Sequence, residues 1–194
     1  DDAVFIIETS NLTEGWKTLS DSRMWRHMMG TKFFADINSD ALSMDSLIRG
    51  NKTMDMLFSG RRLMISAHMT RPDDYDFLFA VDMKKASKVT WLKDYIGDLV
   101  GNFGFEMNKR DFLGTEIIML EDLSSPDVLS ISFIDNVLVC SYTPSLVEKS
   151  IQQKDAGYWE KNEPFQAVTG ELDDETLFTF YLNYRQLYAY LRCY

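Results

Sequence analysis

Histidine and cysteine are scarce in this chain, at two residues each among 194. Two cysteines, Cys140 and Cys193, cannot make a disulfide framework. Cys140 lies in a strand-like run, between Val139 and Ser141, so two unpaired thiols with Cys140 as core filler is the reading preferred, and a single Cys140–Cys193 bridge is the alternative. His27 and His68 leave a zinc centre at least one ligand short, and no HxH or HxxxH spacing starts one. No apolar run approaches the roughly 18–20 residues that a helix needs to cross a bilayer. Positive charge is also short, with 20 Lys and Arg against 30 Asp and Glu and a net charge of -10. That balance argues against nucleic acid as a partner, because such affinity comes largely from neutralising phosphates.

The motifs of chemistry are missing as well. The phosphate-cradling and dinucleotide-binding glycine patterns, G-x-S-x-G, H-E-x-x-H and C-x-x-C all fail to occur. No cofactor is implied. The acidic runs Asp73-Asp74-Tyr75-Asp76 and Asp173-Asp174-Glu175 lack the glycine and terminal Glu of an EF-hand and read as solvated turns.

What is present is a clear change of period along the chain. Residues 3–9 (AVFIIET) read as a buried strand, followed by Ser10 or Asn11 as a helix cap with Glu14 in capping-box position. Trp16, Leu19, Trp25, Met28 and Met29 share one side of a helix predicted over about 13–29 and ended by Gly30. RRLMISAHM and YDFLFAVD each alternate with period two around the turn TRPDD, which predicts a hairpin. Val89, Leu92, Ile96, Leu99, Val100 and Phe103 recur at helical steps. Four strand-sized runs follow: FEMNKR, GTEIIMLE, DVLSISFI and NVLVCSY, the last two joined by an Asp135-Asn136 turn. Thr143-Pro144 then starts a helix with Leu146, Val147 and Ile151 on its apolar face.

Short connections between successive strands imply antiparallel pairing. The expectation is one α+β domain over residues 1–194, with a mainly antiparallel sheet of about six to eight strands and helices packed on one face. Regular βαβ alternation is missing, which disfavours a dinucleotide-binding enzyme.

The ending LFTFYLNYRQLYAYL, residues 177–191, repeats the order of the opening: apolar strand, Asn, amphipathic helix. At an offset of 172, Asn11 meets Asn183, Leu19 meets Leu191 and Trp16 meets Tyr188. Two identities in fifteen prove no duplication, so 175–194 either begins a second repeat or completes the first sheet. A chain opening at Asp1-Asp2 and closing inside an amphipathic segment is expected to be a piece of something longer.

SFIDNVLVCSYTPSLVEKSI (132–151) and AVFIIETSNLTEGWKTL (3–19) together resemble a family of uncharacterised bacterial envelope proteins that carry a large domain of unknown function. The resemblance implies a membrane anchor outside these residues, an extracytoplasmic (periplasmic or cell-envelope) location and no known active site.

Eight of the 11 methionines fall in the first 69 residues, in company with Trp16 and Trp25. Methionine is soft and adaptable, so such a cluster suits either an irregular core or a hydrophobic binding surface. Trp16, Trp25, Met28, Met29, Met54 and Met56 are therefore the candidate surface for an apolar ligand or a protein partner. The expected function is a non-enzymatic binding module. The alternatives are a hydrolase whose carboxylate or Ser/Thr site assembles only in three dimensions, and a purely structural repeat unit.

Overall fold

The computed structural model describes residues 3–30, 59–72, 74–84, 90–94, 96–97, 105–122, 128–154, 163–169 and 176–193. Eight strands form one sheet: β1 (Ala3–Thr9), β2 (Leu63–Arg71), β3 (Asp74–Asp82), β4 (Phe105–Phe112), β5 (Thr115–Asp122), β6 (Val128–Ile134), β7 (Val137–Ser141) and β8 (Phe178–Leu182). Their order across the sheet is β4-β5-β6-β7-β3-β2-β1-β8, and every neighbouring pair is antiparallel. The α+β expectation and the antiparallel pairing hold. The helices are α1 (Leu12–Asp21), α2 (Arg23–Met29), α3 (Pro144–Gln153), α4 (Glu163–Thr169) and α5 (Tyr184–Leu191); residues 90–94 and 96–97 are also helical.

Two hairpin turns contain residues at positive φ. Leu113 and Gly114 both adopt positive φ, 52° and 76°, between β4 and β5. That geometry suits a two-residue hairpin, and Asp111 Oδ1 secures it by accepting from Gly114 N–H at 3.1 Å. Between β6 and β7, Asp135 takes φ 54°, as the Asp-Asn turn requires.

The period-two alternation sorts side chains onto two faces. On the first, Leu63, Val81, Ile118, Ile131 and Leu138 form a core that the helical residues Leu92 and Ile96 cover. On the second, Leu78, Ile117 and Val139 pack under Leu146, Val147 and Ile151 of α3. Helices therefore occupy both faces, not the single face expected. Amphipathic spacing shows that a helix has an apolar side but not which side of the sheet it will cover.

The second face is unusual in carrying Ser66, Ser130, Ser132 and Ser141, all 2% exposed or less. Small side chains let α3 lie close over β6 and β7. Ser132 and Ser141 hydroxyls donate to the Glu116 and Phe77 carbonyls at 2.9 and 2.7 Å, which satisfies them across strands.

The helix expected over 13–29 is two helices. Ser22 leaves helical geometry at ψ 151°, and its Oγ accepts the Trp25 N–H at 3.1 Å, so it ends α1 and caps α2. Before α1, Asn11 caps as expected: its Oδ1 accepts from Glu14 N–H at 3.4 Å, and its Nδ2 donates to the Glu14 carboxylate at 3.0 Å. At α3, Pro144 takes the first turn as expected, but the Thr143 side chain makes no capping bond.

Candidate interaction surface

The closing strand–helix segment lies in the same sheet as the opening one. β8 pairs antiparallel with β1, with Phe5 opposite Leu182, Ile7 opposite Phe180 and Thr9 opposite Phe178. Its other edge has no strand neighbour among the described residues. Asn183 ties the corner: its N–H donates to Val4 O at 2.8 Å, its Nδ2 donates to Ala3 O at 2.9 Å, and its Oδ1 accepts from Arg185 N–H at 3.1 Å. Asn183 thus fastens β8 to β1 and caps α5, as Asn11 caps α1.

The two strand–Asn–helix units stand on the same face. Gly15 of α1 sits against Thr9 and Phe178, where a Cβ would come within 2.7 Å of Thr9 Oγ1. From α5, Tyr190 meets Phe5 and Tyr75, at ring-centroid distances of 5.8 and 4.8 Å. Phe5 also contacts Phe180 at 5.7 Å and Phe77 at 6.2 Å. An aromatic row therefore runs across β8, β1 and β3 under α5. The aromatic of α5 that faces the sheet is Tyr190, not the Tyr188 that the repeat alignment pairs with Trp16.

The outer side of this unit is apolar and exposed. Phe180 is 59% exposed, and Tyr184, Tyr188 and Leu191 are 79%, 76% and 60% exposed. The last three stand at i, i+4 and i+7 on α5, which makes one continuous stripe. Residues 176–193 contain no Asp or Glu, while Arg185 and Arg192 supply positive charge in a chain that is otherwise strongly acidic.

Trp16 and Trp25, expected to form a binding surface, meet edge to face at 5.5 Å and are half-buried. Met28 and Met29 belong to α2, but their side chains, like the whole of Met54 and Met56, lie outside the described residues. The structure brings the two tryptophans together as a packed pair joining α1 to α2.

The other side-chain groupings seen among the described residues are closed or already committed. Ser66 Oγ lies 2.8 Å from His68 Nε2, with Asp76 opposite His68 on β3, a grouping hidden in sequence until both strands are placed. Ser66 is 2% exposed, so its hydroxyl is shut away from substrate, and Asp76 accepts the Phe77 N–H at 2.7 Å. Cys140 packs against the first-face core, where burial pushes its thiol up to about 11. A shallow depression of about 230 Å³ is lined by Lys109, Arg110, Asp111 and Glu116. Its cations are engaged: Lys109 with Glu116 at 3.3 Å, and Arg110 with Glu148. Burial raises the Glu116 pKa, but hydrogen bonds and charge from Lys109 and Lys93 outweigh it, so the carboxyl stays below its ordinary value. Among the described residues, no group of three His, Cys, Asp or Glu side chains is placed to hold a metal ion.

No protein-family model, curated protein or solved structure matches this chain.

Proposed function

We propose that this chain is a non-enzymatic interaction module, within a larger envelope protein of the kind it resembles, and that it takes a protein partner at the β8–α5 surface. The observation that carries the proposal is the exposed stripe Tyr184, Tyr188 and Leu191 on α5, the helix that directly follows the uncharged edge strand β8. Large aromatics with exposed faces and polar tips give much contact area at little conformational cost. An open strand edge offers backbone hydrogen bonds to an extended partner, with side-chain contacts alongside for selectivity. An apolar small molecule is disfavoured at this place because the stripe is convex helix surface, whereas small ligands take concave sites.

The test is selection of extended peptides from a displayed library on the folded protein and on a Tyr188→Lys variant. Enrichment of apolar or aromatic segments by the native protein, at least tenfold reduced for the variant, is the expected outcome. Binders indifferent to Tyr188→Lys, or no binders at all to protein that sediments as a monomer, would overturn it.

A further inference from the structure

The two edges of the sheet differ sharply in chemistry. β4, at one edge, carries Glu106, Lys109, Arg110 and Asp111 within eight residues. Charges of this kind discourage another chain from adding to an edge. β8, at the other edge, reads FTFYL, with no charge and no proline. Such an edge is a template for pairing unless something covers it.

The pattern of hydrogen bonds shows what β8 presents outward. Asn183 N–H donates to Val4 O, one step beyond the Phe5–Leu182 pair that ends the ladder. Opposed residues in an antiparallel pair alternate between bonded and non-bonded. Tyr181 and Thr179 therefore point their backbone groups at β1, while Phe178, Phe180 and Leu182 point theirs at the open edge. Their side chains share the face on which α5 lies.

From this we infer that β8 is the interface to a second copy of this chain, antiparallel and centred on Phe180. The inference rests on the proposed interaction surface and names its partner. In that register Phe180 meets its own counterpart and Phe178 meets Leu182 of the other copy. Each outward N–H then stands opposite an outward C=O, and the row of Phe and Leu side chains continues across the junction. The molecule already contains the same kind of joint, since β1 and β8 pair antiparallel with α1 and α5 on one face. A second copy offers another such strand–Asn–helix unit, whose β8 likewise has no outer strand neighbour among the described residues. The contact is isologous, so it closes at two copies and builds no filament. Residues 176–193 contain no Asp or Glu, so β8 and α5 bring no carboxylate of their own to the seam.

Sedimentation from about 1 μM to about 1 mM, the range of weak to moderate affinities, tests this, combined with hydrogen exchange on the same samples. The expected result is a rise from the chain mass of 22.5 kDa to twice that value, with the amides of Phe178, Phe180 and Leu182 becoming protected as mass doubles. Phe180→Lys should shift the midpoint concentration at least tenfold upward, and Thr179→Lys, on the opposite face, much less. Matching circular dichroism and melting temperature establish that both variants fold. A monomer throughout, or a dimer formed without β8 protection or indifferent to Phe180→Lys, would overturn the inference. A monomer that still selects peptides through Tyr188 would leave the interaction module standing and remove only the second copy as its partner.

Discussion

Cys140 shows how much a single side chain's place in the sheet decides. In sequence it is a thiol between a valine and a serine; in the fold it packs beside Ile131 and Leu138, and burial raises its pKa from the ordinary 9.0 to about 11. Below about pH 9 the folded and unfolded chains both hold the proton, and stability is unaffected. Between pH 9 and about 11 only the unfolded chain ionises, so stability falls as pH rises, by up to roughly 3 kcal/mol for this group. Tyr181, raised by burial and by Glu8 and partly offset by Arg62, acts in the same direction. The Cys140→Ala protein should therefore lose less stability than the native one across that window in urea titrations. Equal slopes would show that the thiol is not buried as described. At pH 8 the native thiol should react with a disulfide reagent far more slowly than the same thiol in urea. The burial was legible, since Cys140 falls in mid-strand between Val139 and Ser141; the size of the shift needed the packed neighbours.

At the scale of elements, strand and helix identities were largely readable. The hairpin of β2 and β3, the Asp135 turn, the Pro144 start of α3 and the Asn11 cap all follow from local residue chemistry that the fold leaves undisturbed. The break between α1 and α2 escaped because Trp16, Leu19 and Trp25 keep helical spacing through Ser22, and only the serine's own capping bond reveals the end. Gly15 is similar. It looks like a weak point in a helix, yet its missing Cβ is what lets α1 seat on Thr9 and Phe178. Gly15→Ala adds up to about 1 kcal/mol of helix propensity. Against that, overpacking a tight seam costs about 1–3 kcal/mol. The expected outcome is a net loss of about 1 kcal/mol in denaturant titration; an unchanged or higher midpoint would mean that α1 rides clear of the strands.

At the scale of the whole molecule, one sheet ties the first described residues to the last. The aromatic row on β8, β1 and β3 continues along β3 from Phe77 to Phe79, whose rings are 6.3 Å apart, and Phe79 stands in register with Ile65 and Cys140, which pack against the Leu63–Val81–Leu138 core. No seam divides the sheet into independent halves, so unfolding should be a single cooperative step. Tryptophan fluorescence and far-ultraviolet circular dichroism should then share one midpoint, whereas separated transitions would divide the β1–β8 end from the rest. The sequence by itself determined the α+β class, the antiparallel pairing of successive strands and the lack of familiar catalytic motifs, because these follow from period, turn residues and composition. The tertiary structure alone decided that β3 lies beside β7, that β8 lies beside β1, and that α3 takes the face opposite Leu92 and Ile96. Those pairings join residues far apart in the chain, and local periodicity carries no information about them. The β8–α5 surface belongs to the second group. FTFYL alternates like any half-buried strand, and YRQLYAYL has the stripe of any packed helix. Only the tertiary placement, with β8 outermost among the described strands and the Tyr190 side of α5 on the sheet, leaves Phe180, Tyr184, Tyr188 and Leu191 facing water.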